Sequence, residues 1–424
     1  MTYMKKPMMK IVAFLCALLA VSPLIACDKT NPGKEDAPAD DPMAFALSMG
    51  IGWNLGNNLD AHVDGVSNET SWGNPAATQK LFDALKAAGI SSVRIPVTWM
   101  GHIGKGPGYA IEKSWMDRVA QVASYAKKAG LKCIVNIHHD GFGAETDPAR
   151  QGYFWLNVAD AAKDEAKNQE IKLKLAMVWN QIASRFKNEG DWLIFETMNE
   201  IQDGKWGNGT NLTDGGAQYR VLNEWNQLCV DVIRATGGQN ATRYIGIPGY
   251  VAQPGLTIKY LAIPEDEVPN RIMVAVHMYD PWDYAGAGLY NEWGHTGVDV
   301  VLDKAGEREF CATLDALYNR FVRRGIPVYL GEYGCVHRSN AKAEAFRKYY
   351  LEYTIKALRN HRMPVMFWDN GSKKVGGEAF GLMEHDDGKW INNGKEIVTL
   401  MVDTWNNTDP SYTLESIYDR APSH

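Results

Sequence analysis

Trp192-Leu193-Ile194-Phe195-Glu196-Thr197-Met198-Asn199-Glu200 is the stretch whose reading decides the fold. Its first seven residues form a short, largely apolar run, and it closes on an Asn-Glu pair. A second run, Pro327-Val328-Tyr329-Leu330-Gly331-Glu332, also ends on a glutamate. Near-continuous apolar strands of this length belong to a parallel sheet covered on both faces. A carboxylate at the carboxyl end of such a strand lies where parallel α/β folds keep their chemistry.

Outward from these two strands, apolar runs alternate with helical stretches from residue 50 to the end, the pattern of a parallel α/β fold. The predicted strands are 51–55, 91–97, 131–138, 192–198, 244–247, 272–278, 327–332 and 365–368, the fifth being weak. Predicted helices follow Pro75 and cover 114–129, 164–187, 218–235, 309–324 and 341–360, and residues 397–405 close the ring. Eight units predict a (β/α)8 TIM barrel, a single catalytic domain over residues 43–408 with a C-terminal tail at 409–424. No repeat and no second composition regime marks an appended module.

Strand parity sharpens this, because successive side chains on a strand point to opposite faces. Cys133, Val135 and Ile137 form an apolar set facing the helices, which turns Ile134, Asn136 and His138 toward the lumen. Val93, Ile95 and Val97 turn Arg94 inward. Val274, Val276 and Met278 leave Ala275, His277 and Tyr279 inside. Asn199 and Glu200 are neighbours and cannot both face the lumen on a regular strand; a bulge or a strand end is required. Glu196 and Glu200 share a face, so Glu196 is expected deeper in the lumen as Arg94's partner.

The amino terminus reads as a targeting segment. A lysine-bearing start, an apolar run from Ile11 to Leu24 and then Leu24-Ile25-Ala26-Cys27 predict a signal peptide over 1–26. Leu-Ile-Ala-Cys resembles a bacterial lipobox, which makes Cys27 the lipidation site. Residues 27–42, rich in Asp, Pro, Lys and Ala, read as a flexible tether. The expectation is an exported bacterial lipoprotein of the outer membrane, cell surface or periplasm, touching membrane only through its lipid anchor. The formal charge is −6, and removing Lys5, Lys6 and Lys10 leaves the chain more acidic still, which excludes nucleic acid as a partner. Of the cysteines that remain, Cys133, Cys229 and Cys311 lie in buried strand or helix patterns and read as lone thiols. No cysteine or histidine spacing suggests zinc, so no metal and no cofactor is expected. A monomer is expected. The chain's 14 Trp and 19 Tyr suit flat sugar faces as well as a large core.

Two carboxylates on facing strand ends are what glycoside hydrolysis requires, one to protonate and one to attack. The motifs in order are Gly52-Trp53-Asn54-Leu55-Gly56-Asn57-Asn58-Leu59-Asp60, Val93-Arg94-Ile95-Pro96-Val97-Thr98-Trp99, Asn136-Ile137-His138-His139-Asp140-Gly141, Met198-Asn199-Glu200, His277-Met278-Tyr279, Gly331-Glu332-Tyr333-Gly334 and Phe367-Trp368-Asp369-Asn370. Together they resemble glycoside hydrolase family 5, the cellulase family of retaining barrel enzymes, and most of all its endoglucanase and xyloglucanase subgroup.

The resemblance implies a retaining endo-β-1,4-glucanase acting on a β-glucan polysaccharide, cellulose-like or xyloglucan-like. It makes Glu200 the acid/base and Glu332 the nucleophile. Arg94 would keep Glu332 ionised, Tyr279 would hydrogen-bond it, and His277 would orient Glu200. His138 and Asn199 would line the sugar site, His139 would touch a sugar or only its loop, and Trp368 would form a stacking floor. Trp99, Trp282 and Trp293 are candidates for flanking subsites. His138 and His139, adjacent on a strand, are expected to face opposite ways and so not to chelate one ion. Loops 281–297 and 371–393 are expected to bound the binding site. Ile201 stands where the family usually has proline. The rivals are another β-glycanase (mannan, mixed-linkage glucan or xylan) and a silent surface glycan-binding lipoprotein.

Overall fold

The apolar runs pair as parity requires. The computed structural model describes residues 41–141, 152–298 and 306–423. Its strands are β1 (Ile51–Leu55), β2 (His62–Val63), β3 (Val66–Ser67), β4 (Ser92–Ile95), β5 (Lys132–Asn136), β6 (Leu193–Glu196), β7 (Ile245–Pro248), β8 (Ile272–His277), β9 (Val328–Tyr333) and β10 (Val365–Asp369). All but β2 and β3 close into a parallel barrel in the order β1-β10-β9-β8-β7-β6-β5-β4; β2 and β3 form a small antiparallel hairpin.

A short helix, α1 (Pro42–Leu47), precedes the barrel. Each barrel strand is then followed by an outer helix: α2 (Gln79–Ala87), α3 (Lys113–Ala129), α4 (Glu165–Phe186), α5 (Ala217–Ala235), α6 (Pro254–Tyr260), α7 (Glu307–Arg320), α8 (Ala341–Asn360) and α9 (Gly394–Asn406). Their ends are set locally. Thr78, Asp164 and Asn340 accept backbone N–H groups at the starts of α2, α4 and α8, and left-handed Gly130 ends α3. Residues 397–405, which close the ring, do so as part of helix α9.

Two cores result. Cys133, Val135, Ile137, Val93, Ile95 and Val97 join the large core between strands and helices. Ile134, Ile194, Tyr244, Met273, Ala275, Tyr329 and Met366 fill the lower lumen as a separate cluster, closed from below by Ala46 and Met49. α1 supplies that plug, and Phe45 stacks on Tyr244 with centroids 3.7 Å apart. Asp41, which caps α1, and Pro42, which opens it, fall inside the span expected to be tether. One and a half turns of helix are too short for periodicity to register. The tail also packs: α10 (Leu414–Tyr418) buries Leu414 and Ile417. Tyr412 and Arg420 both donate to Glu352 on α8.

The expected signal peptide, Cys27 and the tether up to residue 40 lie outside the described residues. Among the described residues no helix is long and apolar enough to cross a membrane. Cys133, Cys229 and Cys335 are buried free thiols. Cys311 is buried on α7, its Sγ 3.7 Å from the Tyr353 hydroxyl.

Candidate active site

The floor of the site is a buried charge network. Arg94, fully buried on β4, donates from Nη2 to Glu196 Oε1 at 2.7 Å and to Asn199 Oδ1 at 2.7 Å. Its Nη1 donates to Asn54 Oδ1 at 3.0 Å and to Glu332 Oε1 at 2.9 Å. The guanidinium fork thus spans both carboxylates that sequence proposed for it. Glu196 also accepts from Tyr329 Oη at 2.6 Å and Asn136 Nδ2 at 2.9 Å. Burial pushes Glu196 up, but Arg94 outweighs it and holds the carboxyl below its ordinary value.

Above this floor, Glu200 and Glu332 face each other with His277 between them. His277 Nδ1 shares a hydrogen bond with Glu200 Oε1 at 2.7 Å and lies 3.7 Å from Glu332 Oε2. One carboxylate oxygen of Glu200 lies within 4.8 Å of one of Glu332. That is the close spacing of a retaining pair, short of the roughly 6.5–9.5 Å that seats a water in an inverting one. Tyr279 Oη donates to Glu332 Oε2 at 3.1 Å.

Burial is the largest influence on Glu332 and raises its pKa, with Glu200 adding and His277 and Arg94 opposing. Arg94 therefore acts in the direction expected of it, but burial outweighs it. On His277 burial acts downward, and the charges of Glu332 and Glu200 reverse it to a net rise.

The Asn199–Glu200 parity conflict is resolved by a strand end. β6 stops at Glu196, so alternation no longer applies. Thr197 turns outward and donates to Asn226 Oδ1 at 2.6 Å, while Met198 and Ile201 are buried in the outer core. Asn199 and Glu200 are left to face the mouth. Ile201, in the place of the family's proline, packs at Gly141, where a Cβ would meet its Cδ1 at 2.7 Å.

His138 and His139 do not face opposite ways. β5 ends at Asn136, and beyond it the two rings lie edge to face with centroids 4.3 Å apart. Asp60 joins them, its Oδ2 3.6 Å from His139 Nε2. Spacing alone would admit an ion, but the donor chemistry does not fit one. Asn136 Oδ1 accepts the Val97 N–H, which fixes the amide so that its Nδ2 donates to His138 Nδ1. The ring proton then sits on Nε2, the nitrogen aimed at Glu332 from 3.8 Å. The Asp60 carboxylate is already taken by the N–H groups of Asn57 and Asn58. Burial holds His138 well below its ordinary pKa, so the neutral ring is the stable one.

A groove of about 840 Å³ runs over the pair. Trp368 forms part of its wall, parallel to His138 at 5.9 Å. Gly56 permits this placement, since a Cβ there would stand 2.8 Å from the indole. Of the three flanking tryptophans, only Trp282 lines the groove. Trp99 and Trp293 are buried in the core, Trp99 donating Nε1 to the Asn136 carbonyl and Trp293 packing on Tyr350. Sequence missed Trp72, after β1, and Trp206, after β6; both are solvent-exposed and line the groove. Position does not separate them from Trp293, which also stands in a long βα loop yet is buried. The loops over 281–297 and 371–393 do border the groove, through Trp282, Glu378 and Phe380.

A closed parallel barrel carrying this closely spaced carboxylate pair under an aromatic groove defines a retaining glycoside hydrolase. Comparison with known proteins narrows the class. Residues 57–374 match the cellulase family, glycosyl hydrolase family 5. A Bacteroidetes-affiliated family 5 cellulase linked with a polysaccharide utilization locus is 58% identical, covering 91% of this chain and 98% of its own, with a TM-score of 0.89. A broad-specificity endoglucanase from Bacteroides salanitronis is 47% identical, covering 89% and 100%, with a TM-score of 0.83. Endoglucanase A of Paenibacillus barcinonensis is 34% identical over 376 residues, 85% of this chain and 90% of its own. The chain belongs to glycoside hydrolase family 5.

Proposed function

We propose that the protein is a retaining endo-β-1,4-glucanase that cuts cellulose-like or xyloglucan-like chains, with Glu332 as nucleophile and Glu200 as acid/base. The observation that carries this is the pair itself: two carboxylates within reach of one anomeric carbon, beneath a groove lined by Trp72, Trp206, Trp282 and Trp368. Glu332, its anion held by Arg94 and Tyr279, attacks the anomeric carbon as the glycosidic C–O bond breaks. Glu200 delivers its proton to the leaving oxygen. In the second half, Glu200 takes a proton from water, the hydroxide displaces Glu332, and the configuration is retained. His277 holds the Glu200 carboxyl in line, and Asn199, oriented by Arg94, reaches toward the bound sugar. His138 and Trp368 line the cleaved subsite, with His139 at its edge. The broad specificity named for a relative supports more than one β-glucan as substrate.

The amino-terminal sequence supports an exported lipoprotein acylated at Cys27, acting at the cell surface or in the periplasm. The deciding experiment is a panel of cellulose, xyloglucan, mixed-linkage glucan, mannan and xylan with a reducing-sugar readout. Cleavage of the β-1,4-glucans is expected. Cleavage of mannan or xylan alone would move the assignment to another β-glycan, and no product from any of them would leave a silent binding protein.

A further inference from the structure

Glu200 stands on main chain that no sheet supports. β6 ends before it, at Glu196, and Ile201 after it has no ring to fix its own φ. His277 steadies the carboxyl from one side. The backbone behind the carboxyl is steadied from the next barrel strand, by the loop that joins β7 to α6.

Two contacts cross from that loop. The Val251 N–H donates to the Ile201 carbonyl at 3.1 Å, and the Tyr250 hydroxyl accepts the Asp203 N–H at 3.0 Å. The first is made under strain. Val251 sits at φ 59° and ψ 11°, and Ala252 follows at φ 51°. A β-branched residue in the left-handed region crowds its own backbone, and such strain gathers where a site requires a fixed geometry. Val251 lines the groove beside Glu200. Just before the strained pair, Gly249 presses on α6, where a Cβ would stand 2.8 Å from Thr257 Cα.

The second contact belongs to a closed ring of hydrogen bonds. Asp203 N–H donates to Tyr250 Oη, which donates to Gln218 Oε1 of α5 at 2.7 Å. Gln218 Nε2 donates to Thr210 Oγ1 at 2.9 Å, and Thr210 Oγ1 donates back to Asp203 Oδ2 at 2.8 Å. Every donor points the same way round, so each bond polarises the next. Tyr250 and Gln218 are buried, whereas Thr210 is exposed. The ring closes the loop that follows Glu200 and ties it to β7 and α5 together.

We infer that Tyr250, acting through this ring, is a positioning residue for Glu200: it fixes the main chain behind the carboxyl so that the acid proton meets the leaving oxygen. The inference rests on the proposed acid/base role of Glu200.

The test uses two substrates that differ in their need for that proton. The leaving group of phenyl β-cellobioside departs with acid assistance, and that of 2,4-dinitrophenyl β-cellobioside departs without it. For both, kcat/KM reports formation of the glycosyl-enzyme, and neither carries a sugar beyond the cleaved bond. Tyr250→Phe opens the ring in the core, and Thr210→Val opens it at an exposed position. Each is expected to lower kcat/KM for the phenyl substrate about tenfold, part of the roughly 10²–10⁴-fold that a placed general acid supplies. Each should leave kcat/KM for the dinitrophenyl substrate unchanged. Thr210→Ser keeps the hydroxyl and should keep both wild-type values. Equal loss on the two substrates would mark a general loosening of the site and overturn the inference. No loss on the phenyl substrate in Thr210→Val would overturn it as well. A wild type inactive on both aryl cellobiosides and on every β-glucan would defeat the proposed function itself, an outcome separate from any behaviour of the variants.

Discussion

At the scale of single residues, the site divides between groups that react and groups that hold them. Glu332→Gly should abolish hydrolysis and be rescued by azide on an activated aryl β-glycoside. Azide then enters on the face the carboxylate occupied, so the product is the α-glycosyl azide. Glu200→Ala should still form the glycosyl-enzyme from aryl substrates and yield the β-azide, because Glu332 inverts first. NMR of the azide products checks both, and exchanged stereochemistry would swap the assignments. Tyr279 donates to the Glu332 anion. Burial already raises Glu332, so kcat/KM should fall with decreasing pH at a value above that of an ordinary glutamate. Tyr279→Phe removes a donor to the charged form. It should move this acid limb to higher pH and lower kcat about 10- to 100-fold. A pH–rate profile measures both, and an unmoved limb would mean the tyrosine only packs.

At the scale of elements, the barrel strands carry the site because their lumenal residues are spaced by what their neighbours allow. On β7, Gly246 leaves room for Tyr329 of β9, whose hydroxyl reaches Glu196; a Cβ there would lie 2.1 Å from that oxygen. Gly246→Ala should therefore destabilise by about 1–3 kcal/mol through overpacking. In a Tyr329→Phe background the added cost of the alanine should be smaller, which thermal unfolding of the double-mutant cycle would reveal. Strictly additive effects would show that the hydroxyl is not the clash. Alternation read the insides of β4, β5 and β8 correctly from sequence. It failed at His138–His139, because β5 had already ended at Asn136 and loop residues follow tertiary contacts rather than a period of two.

At the scale of the whole molecule, both termini of the barrel domain close it. α1 plugs the bottom, and α10 clamps α8 through Leu414, Ile417 and the Glu352 contacts. Removing residues 409–424 should lower stability by about 3 kcal/mol or more, from two buried aliphatic side chains alone. An unchanged unfolding midpoint would assign the tail no structural role. For the expected lipid anchor, Cys27→Ala should turn membrane-associated protein into soluble protein on fractionation, and unchanged association would refute acylation at that residue.

The sequence by itself determined the barrel, its strand ends and the inward set Arg94, Glu196, His277, Tyr279, Glu332 and Trp368. These follow from local periodicity, which burial on two faces imposes on every strand. Only the tertiary structure decided which tryptophans line the groove. Trp72 and Trp206 stand in solvent while Trp99 and Trp293 are in the core, and nothing in the residues flanking them distinguishes the two fates. It also decided the balance at Glu332. Arg94 and His277 pull its proton affinity down, burial and Glu200 push it up, and that sum depends on four strands meeting at one point.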